Sequence, residues 1–150
     1  MNIIRRYGPV AARIVLGLVF VVFGANYFLH FLPAPPMEGP AATFVGGLAA
    51  TGYFFPLLKV TEIAAGLALL SGRLVPLALT ILAPIVVQIA AFHTLLVPAP
   101  PMVVLLLGLE VYLAWAYRDS FRAVLAVNAQ PNRGEGDFLP KIGRRSAASA

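Results

Sequence analysis

The sequence predicts an all-α membrane protein, a four-helix transmembrane bundle with a short external interfacial helix between its first and second spans. Three observations carry this. Of 150 residues, 60% are hydrophobic and 11% charged, under half the roughly 25% charge of soluble domains. Mean hydropathy is +0.87, and the apolar residues gather in four stretches close to bilayer length. The basic residues avoid two of the connecting loops altogether. The chain has no cysteine, which excludes disulfide exchange, thiolate nucleophiles, iron–sulfur clusters, zinc–cysteine sites and covalently attached c-type haem.

The spans are expected at residues 13–31, 54–70, 74–96 and 102–117, within a membrane domain of residues 1–128. Backbone amides in hydrocarbon have no water to bond, so the stretches are helices rather than strands. The fourth is the shortest. It reaches a comfortable length if the helix runs on through Arg118 and Asp119, with Trp115 and Tyr117 at headgroup level, where amphipathic rings settle. A basic start followed by an apolar run also describes a cleavable signal. Here the run is long, Asn26 and His30 interrupt its end, and no small-residue cleavage site precedes the prolines.

Pro33, Pro35, Pro36 and Pro40 stiffen the loop after the first span, and Ala41 to Ala50 is apolar with only Thr43 polar. A helix lying in the interface fits this composition, with proline at its first turn and glycine, Gly52, past its end. An irregular covering loop is the alternative. Residues 129–150 are rich in Pro, Gly, Ser and charge and are expected to form a disordered cytoplasmic tail.

Orientation follows from the basic residues, which are retained on the cytoplasmic side. Arg5, Arg6 and Arg13 stand at the start of the first span, Arg73 lies between the second and third, and Arg118, Arg122, Arg133, Lys141, Arg144 and Arg145 follow the fourth. Only Lys59 remains of the eleven. The expected protein is therefore a multi-pass membrane protein with both termini cytoplasmic. Its net charge of +5 suits anionic lipid headgroups and calls for no nucleic acid.

Polar side chains inside spans are costly, about 2.5 to 3.5 kcal/mol for a charge at the bilayer centre, so each needs a partner or a role. Asn26 and His30 lie in the first span, Lys59 and Glu62 in the second, Gln88 and His93 in the third and Glu110 in the fourth. Counted inward from the external ends at about 1.5 Å per residue, all fall in the outer half, which predicts one external polar pocket. Asn26 and His30 share a face at i,i+4, and Lys59 and Glu62 can pair at i,i+3. Gln88 and His93 are about 140° apart around a helix, and Gln88 is taken as the one facing a narrow core. Pro84 removes a bond to the Thr80 carbonyl and is expected to kink this helix. Glu110 has no basic residue within a turn; Lys59 or a histidine is its expected partner. The candidate ligand-binding residues are thus His30, Lys59, Glu62, Glu110, Asn26 and Gln88, with no metal site.

A plainer reading stands beside each. Lys59 with Glu62 is equally a neutralised structural pair with the lysine snorkelling outward, and His30 and His93 are more often wet boundary residues than ligands. Gly17, Gly24 and Gly66 read as close-packing points between helices. Tyr53, Phe54 and Phe55 read as an interfacial belt.

The stretch His30-Phe31-Leu32-Pro33-Ala34-Pro35-Pro36-Met37 carries a family resemblance, as does Ala50-Thr51-Gly52-Tyr53-Phe54-Phe55-Pro56-Leu57-Leu58-Lys59 with Glu62 and Gly66. Together with the closing Glu110-Val111-Tyr112-Leu113-Ala114-Trp115-Ala116-Tyr117-Arg118, they resemble the DoxX or DoxX-like membrane proteins of bacteria over about residues 10 to 125. The resemblance implies a four-helix membrane bundle. For some relatives it implies a place in quinone-linked oxidation of sulfur compounds or in membrane oxidoreductase complexes. The positions matching the family's polar pattern are His30, Lys59, Glu62 and Glu110, with no catalytic role carried over.

Two functions follow as expectations. One is a subunit or partner of a quinone-linked membrane oxidoreductase that binds a quinone or similar amphipathic molecule among its helices, with the electrons supplied by a partner protein or a bound cofactor because the chain holds no electron carrier of its own. The other is a non-catalytic assembly or lipid-binding module. Transport of a small solute is a third reading, disfavoured by the absence of an inverted repeat, and a haem site on His30 and His93 lacks a paired-ligand motif.

Overall fold

A computed structural model describes residues 2–33 and 36–122. It is all-helical over the described residues: α1 (Asn2–Leu29), α2 (Gly39–Ala50), α3 (Phe54–Ser71), α4 (Val75–Leu95), α5 (Pro100–Ala116) and the single turn α6 (Arg118–Phe121). The expected tail, residues 129–150, lies outside the described residues.

Three helical segments are long and apolar enough to cross a membrane: Tyr7–Leu29, Phe54–Ser71 and Val75–Leu95. α5 is apolar but has 17 residues, about 25 Å at the helical rise. The expected extension through Arg118 is interrupted, because the chain turns at Tyr117 and resumes as α6. α1 begins well before the anticipated Arg13 and carries Pro9 inside it.

Helix ends follow from local chemistry. α1 stops at His30, which sits at φ 51°. α2 opens on Gly39-Pro40, where the missing proline N–H is no loss, and the Thr51 hydroxyl donates to the Leu48 carbonyl at its far end. Gly72 closes α3 in the left-handed region at φ 72°, with the Arg13 guanidinium packed against it. Gly72→Ala therefore strains the backbone and displaces that guanidinium. It is expected to cost about 1 to 2 kcal/mol, read as a lower unfolding midpoint in detergent; an unchanged midpoint would show that the turn relaxes.

α1 packs on α3 and α5, and α4 packs on α3 and α5. Residues Gly17 and Gly66 meet, as do Gly24 and Ile63, so α1 and α3 run antiparallel. The core is built from Leu16 and Phe20 of α1, Ala65 and Leu69 of α3, Leu79, Leu82 and Val86 of α4, and Leu106 and Leu113 of α5. These stripes repeat every three or four residues, the period of a helix face. The outward faces are just as apolar: Val104 is 71% exposed, Val111 65% and Val87 62%. A helix apolar all round belongs in an apolar surrounding, which agrees with the three candidate spans.

Candidate functional site

The second turn of α3 holds the central ion pair. Lys59 Nζ donates to Glu62 Oε2 at 2.8 Å, as the i,i+3 spacing allows. Glu62 is 2% exposed. Its neighbour across the helices is the second half of α4, where Gln88 and His93 stand, and α2 lies over both. α2 is held there by Phe44, whose ring centroid is 6.0 Å from that of Phe92.

Between α2, α3 and α4 lies a cavity of about 500 Å³, a size suited to a small ligand. Its walls are apolar, with Phe44, Phe54, Phe55 and Phe92 prominent, apart from Lys59, Glu62, Gln88 and His93. A second cavity of about 160 Å³ lies between α1, α3, α4 and α5. Lys59, Glu62, Ile89 and His93 line both cavities, so the polar group forms the boundary between them.

Sequence reasoning took only one of Gln88 and His93 to face inward, and both line the larger cavity. The reason is width: the wall follows α4 from Pro84 to His93, so residues well separated around the helix still border it. His93 Nδ1 lies 2.9 Å from the Ile89 carbonyl oxygen. A carbonyl only accepts, so Nδ1 carries the hydrogen of that bond. The ring packs edge-on against Phe92 with centroids 5.2 Å apart.

Three expected pocket residues sit elsewhere. Asn26 Oδ1 accepts from the Leu32 backbone N–H at 2.6 Å, and its carbonyl accepts from the His30 N–H at 2.8 Å. Both residues thereby close the end of α1, and His30 is exposed and lines neither cavity. Glu110 is 7% exposed, on the inward stripe with Leu106 and Leu113. It lines neither cavity, and its Oε2 has no hydrogen-bond partner. The expected pairing with Lys59 or a histidine is absent: Lys59 bonds Glu62, and His93 bonds the Ile89 carbonyl. Glu110 also lies ten residues into a helix of 17, about 15 Å from the end near α2, and so nearer the opposite end than its sequence position suggested. Among the described residues, no three His, Asp or Glu gather as a metal site.

His30→Gly tests this placement. Glycine adopts the left-handed region freely whereas other residues lose about 1 to 2 kcal/mol there, offset by glycine's larger entropy loss. The variant is expected to unfold at or slightly above the wild-type temperature and to retain any bound ligand. Loss of ligand would put His30 at the site. No protein-family model, curated protein or solved structure matches the chain.

Proposed function

We propose that the chain is a DoxX-like protein crossing a bacterial inner membrane four times, α5 included, as a four-helix bundle with both termini cytoplasmic and α2 on the external side. In this reading the larger cavity holds the head of a quinone, and the protein serves a quinone-linked membrane oxidoreductase as a subunit or partner. One observation carries the reading: a cavity of about 500 Å³ with apolar and aromatic walls and a single polar group of Lys59, Glu62, Gln88 and His93.

The fit is chemical. A quinone has a planar ring, suited to offset or edge-on packing against phenylalanines, and two carbonyl oxygens that only accept hydrogen bonds. Lys59 has hydrogens to give beyond the one bonded to Glu62, and the Gln88 amide offers two more. When bound, a quinone supplies two-electron redox chemistry, which no side chain here provides. The basic residues Arg13, Arg73, Arg118 and Arg122 support the orientation, because they belong to the ends of α1, α3, α4 and α5 opposite α2.

Lipid extraction tests the reading. Protein purified in mild detergent is expected to carry quinone at close to one per chain, and Val45→Trp, which fills the cavity from α2, is expected to lose it while eluting as the wild type does. Extracts holding phospholipid in place of quinone would favour the lipid-binding module, whose support is the same apolar wall. Quinone retained in Val45→Trp would remove the cavity from the account.

A further inference from the structure

We infer that the cavity selects the reduced, dihydroxy form of a quinone over the oxidised form, and that the Nε2 atom of His93 sets the preference. This rests on the reading of the cavity as a quinone site and adds which form of the molecule it holds. The Ile89 carbonyl takes the Nδ1 hydrogen at 2.9 Å, so in the neutral ring Nε2 is an acceptor and nothing else. The hydrogen bonds of the described residues give it no partner, although the ring borders both cavities. Lys59, which shares both cavities, is the opposite case: it has hydrogens to give and no lone pair.

A quinone oxygen can accept from Lys59 but has nothing for His93. A quinol hydroxyl donates its hydrogen to Nε2 while its oxygen accepts from Lys59. Gln88 turns either way and does not discriminate. Placing the oxidised ring in the cavity therefore sets Nε2, an acceptor on the cavity wall, against a ligand oxygen with no hydrogen to give, and a missed bond of that kind costs enough to shift affinity by about tenfold. By linkage, a site that holds the reduced form more tightly makes its bound quinone easier to reduce by the same factor. That is the sense a quinone-linked oxidation requires.

The test is a pair of calorimetric titrations of the protein in nanodiscs under argon at pH 8, with decylubiquinone and with decylubiquinol. Wild type is expected to bind the quinol about tenfold more tightly. His93→Phe is expected to bring the two within about twofold, mainly by weakening the quinol. His93→Gln, whose amide oxygen restores an acceptor, is expected to recover part of the preference. Equal affinities in wild type, or a preference undiminished in His93→Phe, overturn the inference. Should His93→Phe not fold, the wild-type ratio decides whether the preference exists and His93→Gln, expected to hold only part of it, decides whether His93 sets it; a full preference in His93→Gln overturns that assignment. Binding of neither compound removes the cavity reading and this inference with it, whereas binding of both without preference removes only the inference.

Discussion

Lys59→Met is expected to destabilise the folded protein by about 3 kcal/mol, because it strips a buried carboxylate of its partner. Glu62 is 2% exposed and its Oε2 lies 2.8 Å from Lys59 Nζ. Removing one member of a buried pair costs about 3 to 5 kcal/mol; the lower end applies here because the lysine side chain keeps 21% exposure. The loss arises from the charge left behind rather than from the worth of the pair. Lys59→Met with Glu62→Leu is accordingly expected to return to within about 1 kcal/mol of wild type, since apolar replacements of similar size are often neutral or stabilising. Unfolding in mixed micelles, followed by circular dichroism, measures all three proteins. The double variant separates stability from binding: a folded protein that no longer retains quinone is the expected result. A double variant as unstable as the single would mean that the pair holds the helices together by itself.

Gly66→Ala is expected to cost about 1 to 3 kcal/mol, the usual range for forcing an extra carbon into a packed interface. A Cβ at Gly66 would lie 2.9 Å from the Gly17 carbonyl oxygen and 3.2 Å from the Val21 backbone nitrogen. Gly17→Ala meets the Gly66 carbonyl oxygen at 2.9 Å in return. In both variants the obstacle is backbone, which no rotamer can move, so α1 and α3 must separate along the seam that positions Lys59 and Glu62. Gly108→Ala is the control. A Cβ there meets nothing within 4 Å, and alanine favours a helix by up to about 1 kcal/mol over glycine. The same micellar unfolding is expected to rank Gly108→Ala at or above wild type and Gly66→Ala well below it. Equal stability for the two would show that the α1–α3 seam is loose.

How much of this was legible in the sequence varies by element. The apolar runs locate α1, α3, α4 and α5 to within a few residues apart from the start of α1, and the proline and glycine punctuation locates α2, because both signals are local. Lys59 and Glu62 were legible together for the same reason: their pairing depends on one turn of one helix. Asn26 and His30 had the right spacing to share a face, yet α1 ends at Leu29. Their hydrogen bonds close that end instead, and a boundary shift of two residues decides the difference. Gln88 and His93 appeared mutually exclusive because the rotation argument assumed a helix packed tightly on its neighbours, whereas α2 roofs a wide cavity there. Glu110 reads as a pocket residue from its cost, its depth along the span and the family's polar pattern. Depth along a helix does not say which neighbour faces it, and the structure turns it toward the core without bringing Lys59 to it. The fixed tautomer of His93 had no sequence signal beyond the four-residue separation from Ile89.

Photolabelling is the most direct measurement of the central claim, that the cavity under α2 holds a quinone head. Membranes containing the protein would be irradiated with an azido-quinone, with and without excess unlabelled quinone, and the adducts mapped by mass spectrometry. The account predicts competable adducts on the cavity segments of α2, the start of α3 and residues 84–93 of α4. Adducts that ignore competition and fall on outward faces such as Val104, Val111 and Val87 would contradict it.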